Sequence, residues 1–267
     1  MLLRSVFLKT VRDLRWPVFW TGLGLGLMGA YFMWIYQAFT KTIDFQSILD
    51  AFPPAIKALI GGTVIDLSSA TGFLNMELFP LMLPLILGGF AIALSSGATA
   101  GEESRGTLDV LLSEPIQRSR VVTEKVLATA IGTAAVAAAL FVGLQVGCAV
   151  GGTSVAADRV AGGLVLATLL ALVFGGIALA LGCWTGNRAV AIGISGALMV
   201  VMYFVNALAP LVDSLDRIKG LSPFFYYMDG DPLRNGVDWA HAGVLAAAAL
   251  AFYVLALIGF ERRDLAS

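Results

Sequence analysis

Six stretches of the chain run for at least 22 residues without a single Asp, Glu, Lys or Arg. A helix needs about 20 apolar residues to cross the hydrocarbon core of a bilayer, which is about 30 Å thick. The stretches lack the apolar–polar alternation of a barrel strand, and each is more than twice a strand's length. The pattern therefore predicts six membrane-spanning helices, at about residues 17–38, 78–100, 127–150, 161–185, 189–211 and 239–260.

The composition supports a membrane location for the whole chain. Of 267 residues, 13% are charged and 58% are hydrophobic, whereas a soluble domain carries about 25% charged residues. An ordinary cytosolic enzyme is excluded, because so few charges would leave large apolar patches in water. We expect residues 1–267 to form one all-α integral membrane domain. The net charge of -1 argues against nucleic-acid binding, which requires clustered Lys and Arg.

The basic residues indicate the orientation, because short cytoplasmic loops retain Lys and Arg. With six spans, both termini lie on one side of the membrane, and that side collects most of the basic residues. The other side has six of them: Lys41, Lys57, Arg159, Arg217, Lys219 and Arg234. Both termini are therefore expected to be cytoplasmic. The first apolar stretch is too long for a signal-peptide core and is expected to remain as an anchor.

Residues 2–15 precede the first predicted span and combine apolar with basic positions. The apolar residues recur at mostly helical spacing: Leu3, Val6, Phe7, Val11 and Leu14. This pattern is typical of a helix in the membrane interface, with its apolar face in lipid and its basic face toward anionic headgroups. The alternative is a basic tail that only sets the orientation.

The predicted spans offer no group that could drive transport or catalysis. Secondary transporters usually carry an ionisable side chain at mid-membrane, and none falls there in this sequence. The single histidine, His241, excludes an HExxH zinc motif, and the chain has no P-loop. Ser195 has no histidine within the membrane to activate it. We therefore predict no catalytic residue, metal ligand or cofactor in this chain, and an energy source outside the membrane.

The two cysteines, Cys148 and Cys183, lie late in successive antiparallel spans. They should lie near opposite membrane surfaces, whereas a disulfide requires Cα atoms within about 7 Å. We therefore expect two small apolar packing residues.

Small residues recur every fourth position in two of the predicted spans. They are Gly22, Gly26 and Ala30 in the first span and Ala189, Gly193 and Ala197 in the fifth. Such ladders allow helix backbones to approach closely in lipid. They predict helix contacts, and the spacing leaves open whether these lie within one chain or between two chains.

The loop after the second span contains a short apolar stripe. Leu108, Leu111 and Leu112 fall at helical spacing, and Pro115 ends the run. The pattern predicts a short amphipathic helix in the cytoplasm that suits the groove of a partner protein. The alternative is a solvated charged loop whose leucines touch lipid headgroups.

The same loop resembles the hallmark of the type-2 exporter permeases of ABC transporters. The shared pattern is a Glu, then Gly-Thr-Leu, Leu-Leu, Pro and Arg, with Lys125 opening the next span. In that family this region is a coupling helix that docks on a separate ATPase subunit. The resemblance assigns that role to Glu102 or Glu103 together with Gly106, Thr107, Leu108, Leu111, Leu112, Pro115 and Arg118.

The resemblance also implies an assembly in the plasma membrane of a prokaryote. Two permease chains, as a homodimer, would face each other around the substrate path, and two ABC ATPase subunits would bind ATP and Mg below them. The first and fifth spans would supply the dimer contacts, at Gly22, Gly26, Ala30 and Gly193. Short outer helices before the last span would close the exit, with Pro223, Phe224 and Phe225 at its rim. An aromatic belt at the membrane interface is the equal alternative for these rings.

The predicted function is therefore that of a permease subunit in an ATP-driven exporter. An uncharged interior rich in Leu, Ala and Gly favours a hydrophobic or amphiphilic cargo, such as a drug, an antibiotic or a lipid. Two other classes remain open: a secondary transporter or channel that needs no ATPase, and a membrane anchor for an assembly complex.

Overall fold

A computed structural model describes residues 6–40, 53, 69–104, 106 and 117–262, and all secondary structure in these ranges is helical. The helices are α1 Val6–Thr40, α2 Ala70–Glu77, α3 Leu83–Ala98, α4 Ala100–Glu103, α5 Arg118–Gly151, α6 Ala157–Thr185, α7 Arg188–Leu208, α8 Asp213–Asp216, α9 Pro223–Met228, α10 Pro232–Asn235 and α11 Trp239–Arg262. Six helical segments are long and apolar enough to cross a membrane. The predicted all-α membrane fold with six spans is therefore confirmed.

The second span begins earlier than the sequence pattern predicted. Its helix starts at Ala70 rather than near residue 78, because the Ser69 side chain accepts a hydrogen bond from the Gly72 backbone N–H at 3.1 Å and so caps the helix. The charge-free stretch begins only after Glu77, which lies inside this helix. A π-helical turn, Leu78–Met82, then joins α2 to α3.

Helix α1 is continuous across the boundary between the interfacial helix predicted at residues 2–15 and the span predicted at 17–38. One helix runs from Val6 to Thr40 with Pro17 inside it. Pro17 lacks an N–H for the carbonyl of Asp13, but Asp13 is exposed, where that carbonyl can bind solvent. At 1.5 Å per residue the 35 residues span about 52 Å, so α1 is longer than the membrane core is thick.

Helix α6 forms the centre of the bundle. Two thirds of its most apolar window is buried (67%), against 22% for the windows of α1, α7 and α11. Helices α3, α5, α7 and α11 pack around it, and Phe174 of α6 is almost fully buried. The peripheral helices therefore expose apolar faces to lipid.

Helix α1 packs along α5 at glycine positions. A Cβ atom on Gly143 would lie 1.9 Å from the Gly26 carbonyl oxygen, and one on Gly147 would lie 2.6 Å from that of Ala30. Gly22 faces Ala139 of the same helix α5. Gly22, Gly26 and Ala30 thus lie against α5 of the same chain, and their assignment to a contact between two chains stays a prediction.

The fifth-span position differs from this first ladder. Gly193 is exposed, and a Cβ atom placed on it would meet nothing within 4 Å. Its assignment to a dimer contact therefore stays a prediction.

The antiparallel spans give the bundle two ends. At one end, called the basic end below, lie the helix termini at Val6, Glu102, Arg118, Arg188 and Arg262. Contacts between these termini hold this end together. The opposite end carries the short helices α8, α9 and α10. Both cysteines are buried in two different apolar clusters, and no disulfide joins them.

Candidate functional site

The segment that follows α3 contains a break in the helix at the basic end. Thr99 has φ −119° and ψ −82°, outside helical values, and the four-residue helix α4 begins directly after it. The chain then turns at Gly106, whose backbone N–H donates to the Glu103 carbonyl at 2.9 Å. Gly106 has φ +68°, a conformation that glycine adopts without steric cost. The break and the turn end the helical run of the second span at this end of the bundle.

Lys125 of α5 joins this segment to the membrane bundle. Its ammonium group lies 2.6 Å from the Glu102 carboxylate and also donates to the Ala98 carbonyl, which the end of α3 leaves without a helical partner. The Lys125 side chain is only 1% exposed and that of Glu102 is 17% exposed. A buried cation is stable only when it is paired, so the ion pair fixes α4 against α5.

Glu124, the residue before Lys125, holds the other neighbouring segment. One of its oxygens accepts a hydrogen bond from the Phe7 backbone N–H at 2.7 Å, and the other accepts from Arg120 at 2.8 Å. Phe7 lies in the first turn of α1, where backbone N–H groups have no helical acceptor. A carboxylate at this position also interacts favourably with the helix dipole. Two consecutive residues of α5 therefore hold α1 and α4 at the basic end.

The structure places only part of the predicted coupling segment. Glu102, Glu103, Gly106 and Arg118 are described, and Arg118 opens α5. Thr107, Leu108, Leu111, Leu112 and Pro115 lie outside the described residues. Of the two adjacent glutamates, Glu102 is the one that forms the ion pair with Lys125. Glu124 was not predicted from the sequence, although its spacing of four residues from Arg120 is a known helix pairing.

The predicted outer-gate residues lie in α9 at the opposite end. Ser222 caps this helix by accepting from the Phe224 N–H, and its hydroxyl donates to the Met202 carbonyl at 2.8 Å. Phe224 is fully buried against Phe174, with ring centroids 5.8 Å apart. Its ring is therefore part of the core rather than of a rim.

Pro223 and Phe225 are half-buried on the same short helix. The Phe225 ring packs against His241, with centroids 5.7 Å apart, and Lys219 lies over its face. Unlike Phe224, Pro223 and Phe225 are partly exposed, as residues at the rim of an outer gate would be. Their role in a gate stays a prediction.

Tyr227 compensates for a defect that proline creates in the second span. In the π-helical turn the Phe79 carbonyl would pair with the N–H five residues later, but that residue is Pro84, which has none. The Tyr227 hydroxyl donates to this carbonyl at 2.8 Å. Burial raises the pKa of the Tyr227 phenol, so the group remains a hydrogen-bond donor at neutral pH.

Replacement of Tyr227 with Phe should destabilise the protein by about 1–3 kcal/mol, because the buried Phe79 carbonyl would lose its donor. The measurement is thermal unfolding of the purified protein in detergent. The penalty of Tyr227→Phe should be smaller in a Pro84→Ala background, since alanine at that position supplies a backbone N–H. An equal penalty in both backgrounds would contradict the proposed compensation.

The described residues contain no group of three or more His, Cys, Asp or Glu that could hold a metal ion. A family model with the description ABC-2 family transporter protein matches residues 21–265. The matched range includes both members of the Glu102 and Lys125 pair and the helices of the opposite end. No curated protein matches the chain.

Proposed function

Because this chain belongs to the ABC-2 family of transporter proteins, we propose that it couples to its ATPase through the segment between α4 and α5. Membership of the family makes the chain a membrane transport subunit of an ABC transporter and implies association with an ABC ATPase. The proposal adds the site of coupling, export as the direction, and a homodimer of permease chains in the plasma membrane of a prokaryote, with both termini cytoplasmic.

The ion pair between Glu102 and Lys125 is the observation that carries the proposal. It links the segment with the predicted leucine stripe to a membrane-spanning helix through a buried contact of 2.6 Å. Force on that segment would therefore act directly on α5. Since Glu124 holds the N-terminus of α1, the same movement would also reach α1.

The proposed mechanism is a rigid-body movement driven from outside the membrane. Nucleotide binding closes the two ATPase subunits, and hydrolysis opens them. A helix seated in each ATPase subunit would convert this movement into rocking of the attached spans, so that access alternates between the two membrane faces. The coupling needs contacts that differ in free energy between the two states, and burial of the leucine stripe would supply them.

A hydrophobic or amphiphilic cargo is supported by an apolar groove of about 320 Å³ between α5 and α6. Its lining is almost entirely apolar and includes Ala137, Phe141 and Leu164. Such a surface offers no selectivity for a polar solute. A drug, an antibiotic or a lipid would suit it.

Substitution of Gly106 tests the coupling. Proline fixes φ near −65°, whereas Gly106 has φ +68°, so Gly106→Pro should misdirect the segment after α4. We expect recovery of a co-expressed ABC ATPase with the tagged permease to fall by roughly tenfold or more. Charge reversal at both Glu102 and Glu103 should have the same effect. Membrane insertion should remain intact in both variants.

Gly236 provides a matched control at the opposite end. It too has a positive φ, +88°, with open space around it and a backbone N–H that closes a turn. Gly236→Pro should leave recovery of the ATPase unchanged. Normal recovery and transport in Gly106→Pro would contradict the proposal. Flux through purified permease in vesicles without nucleotide would instead favour a secondary transporter or channel.

A further inference from the structure

A second cleft, of about 420 Å³, opens at the basic end between α1, α3, α5 and the start of α7. Its mouth is lined by charged side chains, among them Lys9, Asp13 and Arg188. Glu102 also reaches the cleft, but its charge is compensated by Lys125. The two cations and Asp13 therefore leave one excess positive charge at the mouth.

Lys9 and Arg188 have no acidic partner in the part of the chain that the structure describes. No ion pair or hydrogen bond of either side chain is present within these ranges, even though Asp13 lies four residues after Lys9 on the same helix. Only 17 of 267 residues are Lys or Arg. Two unpaired cations that converge on one cleft therefore indicate a site for an anion.

The lining becomes apolar toward the membrane. Leu14 and Pro17 follow Lys9 along α1, and Pro17 lies about 12 Å deeper at 1.5 Å per residue. On α3, which runs the other way, Ala93 and Leu94 line the corresponding depth. Thr129 of α5 is the polar exception at this depth. The cleft is thus charged at its mouth and mainly apolar inside, and this is the polarity profile of an amphiphile.

We propose that this cleft binds one anionic phospholipid from the surrounding leaflet. Its phosphate pairs with Lys9 and Arg188, and an acyl chain lies along Leu14, Ala93 and Leu94. Basic pockets between spans at the membrane surface are typical sites for anionic headgroups. A soluble phosphate compound shares the headgroup chemistry but leaves the apolar wall without a function, so the lipid is the better match.

The test measures lipid binding by the full chain, purified in detergent without an ATPase, by native mass spectrometry. Phosphatidylglycerol should bind the wild-type chain in preference to phosphatidylcholine. Lys9→Gln combined with Arg188→Gln should weaken that binding by about 30-fold, since each basic residue near a headgroup contributes about fivefold. Ala93→Phe should also block binding, because Ala93 lines the cleft and a larger ring would fill it.

The control removes the same two charges at the same end but outside the cleft. Arg12 and Arg262 are both exposed, and Arg12→Gln with Arg262→Gln should change binding by less than about twofold. An equal loss in this control would show general attraction to the surface and would overturn the proposal. Thermal unfolding in detergent is measured for every variant, and only variants as stable as the wild type are compared.

Substitution of Asp13 tests whether the bound headgroup is anionic. Asp13→Asn removes the only uncompensated negative charge that the described mouth of the cleft carries, so it should strengthen binding of phosphatidylglycerol severalfold. Weaker binding in this variant would overturn the anionic assignment. If glycerol phosphate displaced the lipid at equal concentration, the assignment of the ligand to a membrane lipid would be wrong. Because no ATPase takes part, failure here leaves the proposed coupling intact.

Discussion

Replacement of Lys125 with Met is expected to reduce ATP-driven transport by at least tenfold. The variant removes the partner of Glu102 and the donor to the Ala98 carbonyl. Loss of one member of a buried ion pair costs about 3 kcal/mol, which corresponds to roughly a hundredfold change in an equilibrium. Helix α4 would then lose its attachment to α5. The measurements are ATPase stimulation and transport in vesicles that contain the permease and its ATPase.

A second substitution separates two effects of Lys125→Met: the loss of the contact between α4 and α5, and the free-energy cost of leaving the Glu102 carboxylate unpaired. Glu102→Gln in the Lys125→Met background leaves no buried charge, so thermal stability should recover in part. Coupling should stay low, because the link between α4 and α5 is still missing. With the Glu102→Gln single variant added, the complete cycle of wild type, two single variants and double variant gives the interaction energy of the pair. Full transport in both variants would contradict a role for the pair in coupling.

Lys219 gives the matched control for the loss of a lysine. It forms an ion pair with Asp216 at 2.8 Å at the opposite end, where both side chains are exposed. Exposed pairs contribute about 0–1 kcal/mol. Lys219→Met should therefore leave thermal stability and stimulation of the ATPase close to wild type.

Replacement of Gly143 with Ala should destabilise the bundle by about 3 kcal/mol. The added Cβ atom would lie 1.9 Å from the Gly26 carbonyl oxygen, and a backbone atom cannot move aside as a flexible side chain can. Helices α1 and α5 would have to separate along their whole contact, with a penalty at the upper end of that for overpacking. Thermal unfolding in detergent measures the loss. Separation should also remove the hydrogen bond from Phe7 to Glu124.

Gly24→Ala is the corresponding control on α1. Nothing lies within 4 Å of a Cβ atom at Gly24, so only helix propensity changes, and Ala is favoured over Gly by about 0.5–1 kcal/mol. Gly24→Ala should be neutral or slightly stabilising. Equal destabilisation by both substitutions would show that the close approach of α1 to α5 is not the cause.

Charge distribution alone predicted the six spans, because the cost of charge in a bilayer is independent of the tertiary fold. The rule does not mark the ends of the helices. The helix of the second span already contains Glu77, and α1 runs through the basic residues before Pro17. In both places the helix extends past the charge-free stretch, so charge no longer marks its end.

The contacts of the site depend on residues far apart in sequence. Lys125 and Glu102 are separated by 23 residues, and Glu124 and Phe7 by 117. The family resemblance singled out Lys125, but only the packing of α5 shows its partner. The buried position of Phe224 was equally hidden, because an aromatic run has the same composition in a membrane belt, at a gate and in a core.

The burial of both native thiols has a practical consequence for spectroscopy. Cys148 is 5% exposed and Cys183 is 1% exposed, and thiols in such apolar surroundings react slowly. Ser104, at the end of α4, and Leu221, at the opposite end, are both exposed. A fluorophore attached at Ser104→Cys, paired with one at Leu221→Cys, would therefore label the otherwise natural chain and follow its conformational cycle in single molecules.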